Sequence, residues 1–433
     1  MRYTPLPADF YIRNRKNLSR LLKPKSIVIL DSNDILPTNA DGHMGFRQQN
    51  DLFYLTGIDQ EETLLILFPD APAKEWTEIL FVKETSEHIR IWEGNKLTRE
   101  EATRQSGIRQ VRWTSEFRPM LQAICNAADH IYLGSNEHPR AVVETQTRND
   151  RMIRELKERF PLHRFERLSP FMDTLRAVKS PEEAEQIRKA ISITREGFLN
   201  VLKKTRPGIR EFELEAEFAY AFLRHGSRGF AYGPIIASGG NANVLHYTDN
   251  DQVCREGDLI LLDVGAEYGN YNADMTRVIP VSGKFSPRQR EVYNAVLRVM
   301  KAAAGLLRPG IALNEYEKKV GKIMEKELIG LQLLRAEDVE KQDPAKPLYK
   351  KYFMHGTSHH LGLDVHDVGS RYRTFEPGMV FTCEPGIYIP EENLGIRLEN
   401  NFMVTEGDPI DLMASIPLEA DEIEALMQNP LSV

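Results

Sequence analysis

The second half of the chain repeats itself, and the repeat limits the folds open to it. Arg206-Pro-Gly-Ile209 recurs as Arg308-Pro-Gly-Ile311. Each copy follows an amphipathic helical pattern (residues 190–204 and 292–307) and precedes another (212–224 and 316–328). Further on, Gly257-x5-Asp263-x-Gly265 is echoed by Gly378-x5-Glu384-x-Gly386. Short matches arise by chance; four elements recurring in one order rarely do. The pattern predicts an α+β domain of two helix–helix–strand halves related by a pseudo-twofold axis. Such an axis brings equivalent strands together, and with them Asp263 and Glu384.

The first of these strands carries an oddity. In Asp258-Leu-Ile-Leu-Leu-Asp263-Val-Gly-Ala-Glu-Tyr-Gly-Asn-Tyr-Asn-Ala-Asp274-Met-Thr-Arg277, Asp263 interrupts an apolar run. A carboxylate in a buried strand is costly unless something compensates it. The polar middle reads as a turn between two strands. A turn centred on Tyr268-Gly269 makes Asp263 and Asp274 direct cross-strand neighbours, and one centred on Gly269-Asn270 makes them diagonal neighbours. Both registers put them on one face. Like charges held that close repel unless they share a cation or a proton. Glu267, placed at the turn with nothing to hold, is expected to tolerate substitution.

At 433 residues the chain exceeds what one core usually supports. Strand patterns at Ser26-Ile-Val-Ile-Leu-Asp31, Asp51-Leu-Phe-Tyr-Leu-Thr56, Glu62-Thr-Leu-Leu-Ile-Leu-Phe68 and Glu78-Ile-Leu-Phe-Val82 alternate with helical patterns around 98–105 and 141–159. They predict an α/β N-terminal domain over 1–172. Ser180-Pro-Glu-Glu183 is a capping box with proline in the first turn. It opens the α+β C-terminal domain, placed over 173–433. A net charge of −7 argues against a nucleic-acid or anionic-membrane surface. No run approaches the ~20 apolar residues of a membrane span. Three cysteines without C-x-x-C spacing, and no apolar secretory segment near the start, point to a reducing, cytoplasmic setting.

Four of the eleven histidines crowd into His355-Gly-Thr-Ser-His359-His360-Leu-Gly-Leu-Asp-Val-His366. Glu384 ends an apolar strand, Glu399 lies in the next strand pattern, and His246 shortly precedes the Asp263 strand. Asp263, Asp274, His359, Glu384 and Glu399 together offer four carboxylates and one imidazole. Buried, that set needs cations, and its four negative charges balance two divalent ions. Oxygen-rich ligation without thiolate favours Mn²⁺, with Fe²⁺, Co²⁺ or Zn²⁺ as alternatives by availability.

The Asp-x10-Asp, His-Gly-Thr-Ser-His, Cys383-Glu-Pro-Gly-Ile-Tyr388 and Ile396-Arg-Leu-Glu399 segments, in this order, resemble the pita-bread metallopeptidases. That family includes methionine aminopeptidase, prolidase and aminopeptidase P. Phe46-Arg-Gln-Gln-Asn-Asp-Leu-Phe-Tyr-Leu-Thr-Gly57 is similar to the N-terminal domain of aminopeptidase P and prolidase. Thr357-Ser358 between two histidines is closest to bacterial-type aminopeptidase P (Xaa-Pro aminopeptidase).

The resemblance implies a dinuclear enzyme that releases the residue before a second-position proline. Asp263 would bind one metal, His359 and Glu384 the other, and Asp274 and Glu399 would bridge. Glu384 would accept the proton of the attacking water. His246 and His366 would hydrogen-bond the substrate, and His355 would sit beside the prolyl ring with Tyr232 nearby. Arg397, grouped with the substrate-side residues, would hold a ligating aspartate. His360, Asn400 and Asn401 depart from the family pattern. The resemblance also implies a homo-oligomer, dimer or tetramer, in which Asp41 and Trp92 are candidates for closing a neighbour's site. Prolidase, restricted to Xaa-Pro dipeptides, is the alternative, with Arg371 or Arg373 available to hold a free prolyl carboxylate. A non-catalytic peptide-binding module, or a metal-free hydrolase on the same fold, would be expected to have lost ligands, and all five are present.

Overall fold

The computed structural model describes residues 2–138, 140–141 and 144–428. It divides into two compact units, Pro5–Leu175 and a second that runs from Arg176 onward together with the residues before Pro5.

The Pro5–Leu175 unit is built on a six-stranded mixed sheet. Its strands are β1 (Ser26–Asp31), β2 (Leu64–Leu67), β3 (Glu78–Val82), β4 (Gln110–Trp113), β5 (His130–Leu133) and β6 (Arg164–Arg167), in the order β4-β3-β2-β1-β5-β6. Every residue of β1, β2 and β5 is buried, as expected of strands that read as unbroken apolar runs. On one face Ile27, Ile29, Ile66 and Phe81 pack with Phe117, Leu121, Ile124 and Leu156.

Two expectations change here. Asp51-Leu-Phe-Tyr-Leu-Thr56 is a helix, Asn50–Thr56, rather than a strand. The Gln49 side chain caps it by accepting the Leu52 N–H at 2.6 Å, and Gly57 ends it in the left-handed region (φ 71°). All residues from Asp51 to Thr56 are buried, and an apolar run buried all round carries no period that separates helix from strand. The helix expected over 141–159 runs Arg148–Arg159, because Thr147 and Asp150 form a capping box. Residues 142 and 143 of that expectation lie outside the described residues.

In the second unit each half supplies two helices and a small antiparallel sheet. Helices Pro181–Lys204 and Glu211–Arg224 accompany β7 (Ile235–Ser238), β8 (Leu259–Asp263), the short strands β9 (Glu267–Tyr268) and β10 (Tyr271–Asn272), and β11 (Thr276–Pro280). Helices Pro287–Ala304 and Leu313–Gly330 accompany β12 (Val380–Cys383), β13 (Gly386–Ile389), β14 (Leu394–Arg397) and β15 (Asn400–Met403). The repeated glycines have repeated conformations. Gly257 and Gly378 have φ of 84° and 90°, so each sequence copy enters its carboxylate strand through the same left-handed turn.

The β8–β11 hairpin settles the register. Asp263 pairs with Thr276, and Glu267 with Asn272. The turn is therefore centred on Gly269-Asn270, both at positive φ (59° and 69°), as a two-residue primed turn requires. Asp274 is a diagonal neighbour of Asp263. Gly265 lies where the two backbones are closest, and a Cβ there would stand 1.8 Å from the Ala273 carbonyl oxygen. Glu267 is not an idle turn residue. It is buried, accepts the Asn270 N–H at 2.5 Å and pairs with Arg228 at 3.2 Å.

The halves are joined at the same place. Glu399 N–H donates to the Thr276 carbonyl at 3.1 Å, and the Asn401 amide both accepts from Asp274 N–H and donates to the Asp274 carbonyl. Two outcomes are expected. Gly265→Ala should destabilise by ~3 kcal/mol or more, because backbone must move to admit the methyl. Glu267→Ala should lose about 1–3 kcal/mol by stripping the Asn270 N–H of its acceptor. Denaturant midpoints check both; an unchanged midpoint in Gly265→Ala would mean that the strands part freely.

Candidate metal centre

The carboxylates enter this region from strand ends on both halves. Asp263 closes β8 and Asp274 precedes β11; Glu384 follows β12 and Glu399 lies between β14 and β15. His359 reaches them from the glycine-rich loop, with its Nε2 3.4 Å from Asp274 Oδ2 and 3.4 Å from Glu384 Oε1. Its Nδ1 lies 2.9 Å from the His360 carbonyl. A carbonyl can only accept, so Nδ1 carries the hydrogen and Nε2 faces the carboxylates. Ligand atoms of Asp274, His359 and Glu399 all lie within 4.8 Å of one another.

Electrostatics mark the space between them. Burial, reinforced by the charges of Asp274, Glu384 and Asp263, pushes Glu399 well above the carboxylate range. Burial likewise pushes Glu384 up to about 8; the charges of His359 and Arg397 pull it down and are only partly offset by those of Asp274 and Asp263. His359 is raised to about 9: burial pulls it down, but the hydrogen bond to Asp274 and the charges of Glu384 and Asp274 prevail. The Tyr232 hydroxyl stands 2.6 Å from Asp263 Oδ1 and 2.5 Å from Asp274 Oδ1, with one proton to give. Glu399 Oε1 is fully buried and has no hydrogen-bond partner. A buried acceptor without a donor, inside a knot of negative charge, is what a divalent cation satisfies. The residues present fit such a group.

The sequence-predicted residues fall in three places. Asp263, Asp274, His359, Glu384 and Tyr232 gather in this knot, with Glu399 beside them. Arg397, buried beneath it, donates Nη2 to Asp263 Oδ2 at 2.5 Å and Nη1 to the Tyr388 hydroxyl at 2.7 Å. That position supports Asp263 rather than facing a substrate. At the rim, the His366 ring meets His359 edge to face at 4.4 Å, and His355 Nε2 lies 2.8 Å from the Tyr388 hydroxyl. Burial and the Arg397 charge drive His355 down to about 3, and His246, itself exposed, is close enough for its charge to contribute. Asp41 and Trp92 are exposed in the other unit.

Known proteins show the same arrangement of chain. Residues 185–406 match the family model for metallopeptidase family M24, and 11–132 match that for the aminopeptidase P N-terminal domain. The chain belongs to metallopeptidase family M24. It is 35% identical over 429 residues to Xaa-Pro aminopeptidase of Escherichia coli, covering 96% of each chain. It is 34% identical to the Haemophilus influenzae Xaa-Pro aminopeptidase, covering 98% of each. Among solved structures, Pseudomonas aeruginosa aminopeptidase PepP superposes with a TM-score of 0.89 at 31% identity, covering 99% of this chain and 100% of that one. A variant of Escherichia coli aminopeptidase P in complex with substrate gives 0.87 at 32% identity, with the same coverage.

Several residues of this M24 unit were not visible as site residues. Tyr388, fully buried, links His355 to Arg397. Arg277, also fully buried, donates to the carbonyls of Thr276, Glu399 and Pro417 and to Asn400 Oδ1; burial lowers its guanidinium to about 10. Thr276 donates Oγ1 to Glu399 Oε2 at 2.7 Å. The departures are absorbed as well. Asn401 braces Asp274, Asn400 bridges Arg277 and Asp411, and His360 packs its ring against Phe381 at 4.2 Å. Spacing signals none of these: Thr276, Arg277 and Asn401 meet Glu399, Asn400 and Asp274 from more than a hundred residues away, and Tyr388 reaches His355 from another segment.

The loop from His359 to His366 is fastened from below. Asp367 accepts Lys179 Nζ at 2.7 Å and Arg176 Nη2 at 2.6 Å, all three buried, and its N–H donates to the His360 carbonyl. Burial would raise this carboxylate, but the two cations hold it well below its usual range. A depressed carboxylate stabilises the fold above its unfolded pKa and loses that contribution as pH falls towards its folded value. Asp367→Asn should therefore destabilise by about 3–5 kcal/mol near neutral pH, because it removes the carboxylate bonded to buried Lys179 and leaves Arg176 with Asp364. In thermal unfolding the wild-type and variant curves should begin to approach each other below about pH 4 and meet only near about pH 2; a gap that stays constant into acid would count against this reading.

Proposed function

We propose that this M24 enzyme removes the N-terminal residue from peptides whose second residue is proline, using two divalent ions held by Asp263, Asp274, His359, Glu384 and Glu399. The observation that carries the proposal is the donor knot, beside which Glu399 Oε1 is buried and unsatisfied, in a chain alignable over 96% of its length with Xaa-Pro aminopeptidase. The four carboxylates match two Mn²⁺ ions, with Zn²⁺, Co²⁺ and Fe²⁺ as the alternatives. Bound there, the metals would polarise the scissile carbonyl and lower the pKa of the attacking water.

The chain's own residues carry the proton and the charge. Glu384 receives the proton of the attacking water, a role suited to a carboxylate that burial has made basic. It delivers that proton to the departing prolyl nitrogen, which has no N–H of its own in the peptide. His366 and His246 donate to the oxygen that gains charge as the carbonyl carbon becomes tetrahedral. His355, kept neutral, flanks the prolyl ring. Arg397 and Tyr232 hold Asp263 and Asp274 in place.

A dipeptide-only activity would need a free cation for the prolyl carboxylate. Of the two candidates, Arg373 is paired with Glu376 at 2.7 Å and Arg371 is exposed; what favours the aminopeptidase over prolidase is the full-length likeness to Xaa-Pro aminopeptidases. Adjacent Ile91 and Trp92, both exposed, are the apolar side chains a homo-oligomer would cover. Three buried free cysteines support a cytoplasmic setting.

Activity should persist from Xaa-Pro-Yaa to longer peptides, vanish in chelator and return with Mn²⁺; activity confined to Xaa-Pro would favour prolidase. Asp274→Asn should lose metal by elemental analysis and at least ~100-fold in turnover. A variant that retained two metals and normal rates would falsify the assignment.

A further inference from the structure

The histidine with the least support of its own is His246. It is exposed, and its ring makes no hydrogen bond among the described residues. The loop that bears it is gathered onto a single carboxylate. Glu211, the first residue of helix Glu211–Arg224, is fully buried. Its Oε1 accepts Ser238 N–H at 2.7 Å, Ser238 Oγ–H at 2.6 Å and the Asn241 amide at 3.5 Å. Its Oε2 accepts the Tyr247 hydroxyl at 2.8 Å and Gln252 N–H at 2.9 Å. Five donors, no cation among them, converge from both ends and the middle of residues 238–252. A buried carboxylate that accepts five hydrogen bonds holds its donors at defined positions.

The second half has a parallel. Glu317, on helix Leu313–Gly330, accepts Thr357 N–H at 2.8 Å and Ser358 N–H at 3.2 Å, between His355 and His359. In both halves the second helix pins a histidine-bearing loop with a carboxylate.

We infer that Glu211, acting through Tyr247, is a positioning residue for His246: it fixes the loop so that the exposed imidazole meets the reacting carbonyl already oriented. The inference rests on the reading of His246 as a donor to the developing oxyanion. An interaction realised only in the transition state affects kcat more than KM when it is misplaced. Tyr247→Phe removes one hydroxyl at the residue beside His246 and leaves the buried ring.

The test is a double-mutant cycle on the full-length, Mn²⁺-loaded enzyme with an Xaa-Pro-Yaa-Zaa peptide. Tyr247→Phe is expected to lose on the order of 10-fold in kcat with KM little changed. In a His246→Ala background the same change should have no further effect, because the group it positions is gone. Glu211→Gln, which keeps one acceptor oxygen, repeats the cycle if Tyr247→Phe fails to fold. An equal loss in both backgrounds, tracking melting temperature or metal content, would show a merely structural role and overturn the inference. Wild-type turnover by His246→Ala would overturn the role of His246 and the inference with it, while leaving the peptide-length and metal results standing.

Discussion

Four carboxylates brought into one buried space are the constraint on which the rest of this structure turns. They repel one another, and burial pushes Glu384 and Glu399 well above the ordinary carboxylate range. The fold withstands that repulsion because it is braced from several sides. Arg397 touches Asp263 from beneath, Tyr232 lies between the aspartates, and Thr276 binds the second oxygen of Glu399. What remains unsatisfied is the inward face of the cluster, and that is where chemistry is available.

The brace is also the joint between the two halves. Asp274 and Thr276 belong to one hairpin; Glu399 and Asn401 belong to the other half, and all four are linked by hydrogen bonds. Arg277 adds a buried guanidinium that reaches both sides of the seam. Neither half owns a complete donor set, so the site exists only where the halves meet. The histidine-bearing loops are attached from outside the seam, by Asp367 with Lys179 and Arg176, by Glu317, and by Glu211.

Much of this was legible because the chain carries it in short, periodic or repeated form. The duplicated Gly-x5-carboxylate-x-Gly segments each correspond to a turn and a strand end, and the capping box at Ser180 begins the helix it announces. Failures of legibility have common causes. The apolar core of Asp51-Leu-Phe-Tyr-Leu-Thr56 is only four residues long, so its helix declares itself only through the Gln49 cap and Gly57. The hairpin register depended on which residues take positive φ, and Gly269-Asn270 and Tyr268-Gly269 differ by one step along the chain. Glu267 read as a turn residue because its partner Arg228 lies on a distant segment.

By itself the sequence determined which donor types were available, that they lie on strand ends and glycine-rich turns, and that the strands come in equivalent pairs. Those properties are local, set by side-chain chemistry, period and backbone freedom. Only the tertiary structure decided that Asp263 and Asp274 are diagonal, that Glu399 keeps one oxygen without a donor, and that Tyr388, Arg277 and Asn401 serve as braces. Hydrogen bonds and buried charges act over a few ångströms in space. Partners such as Arg277 and Asn400 stand far apart along the chain, so their meeting is a property of the fold.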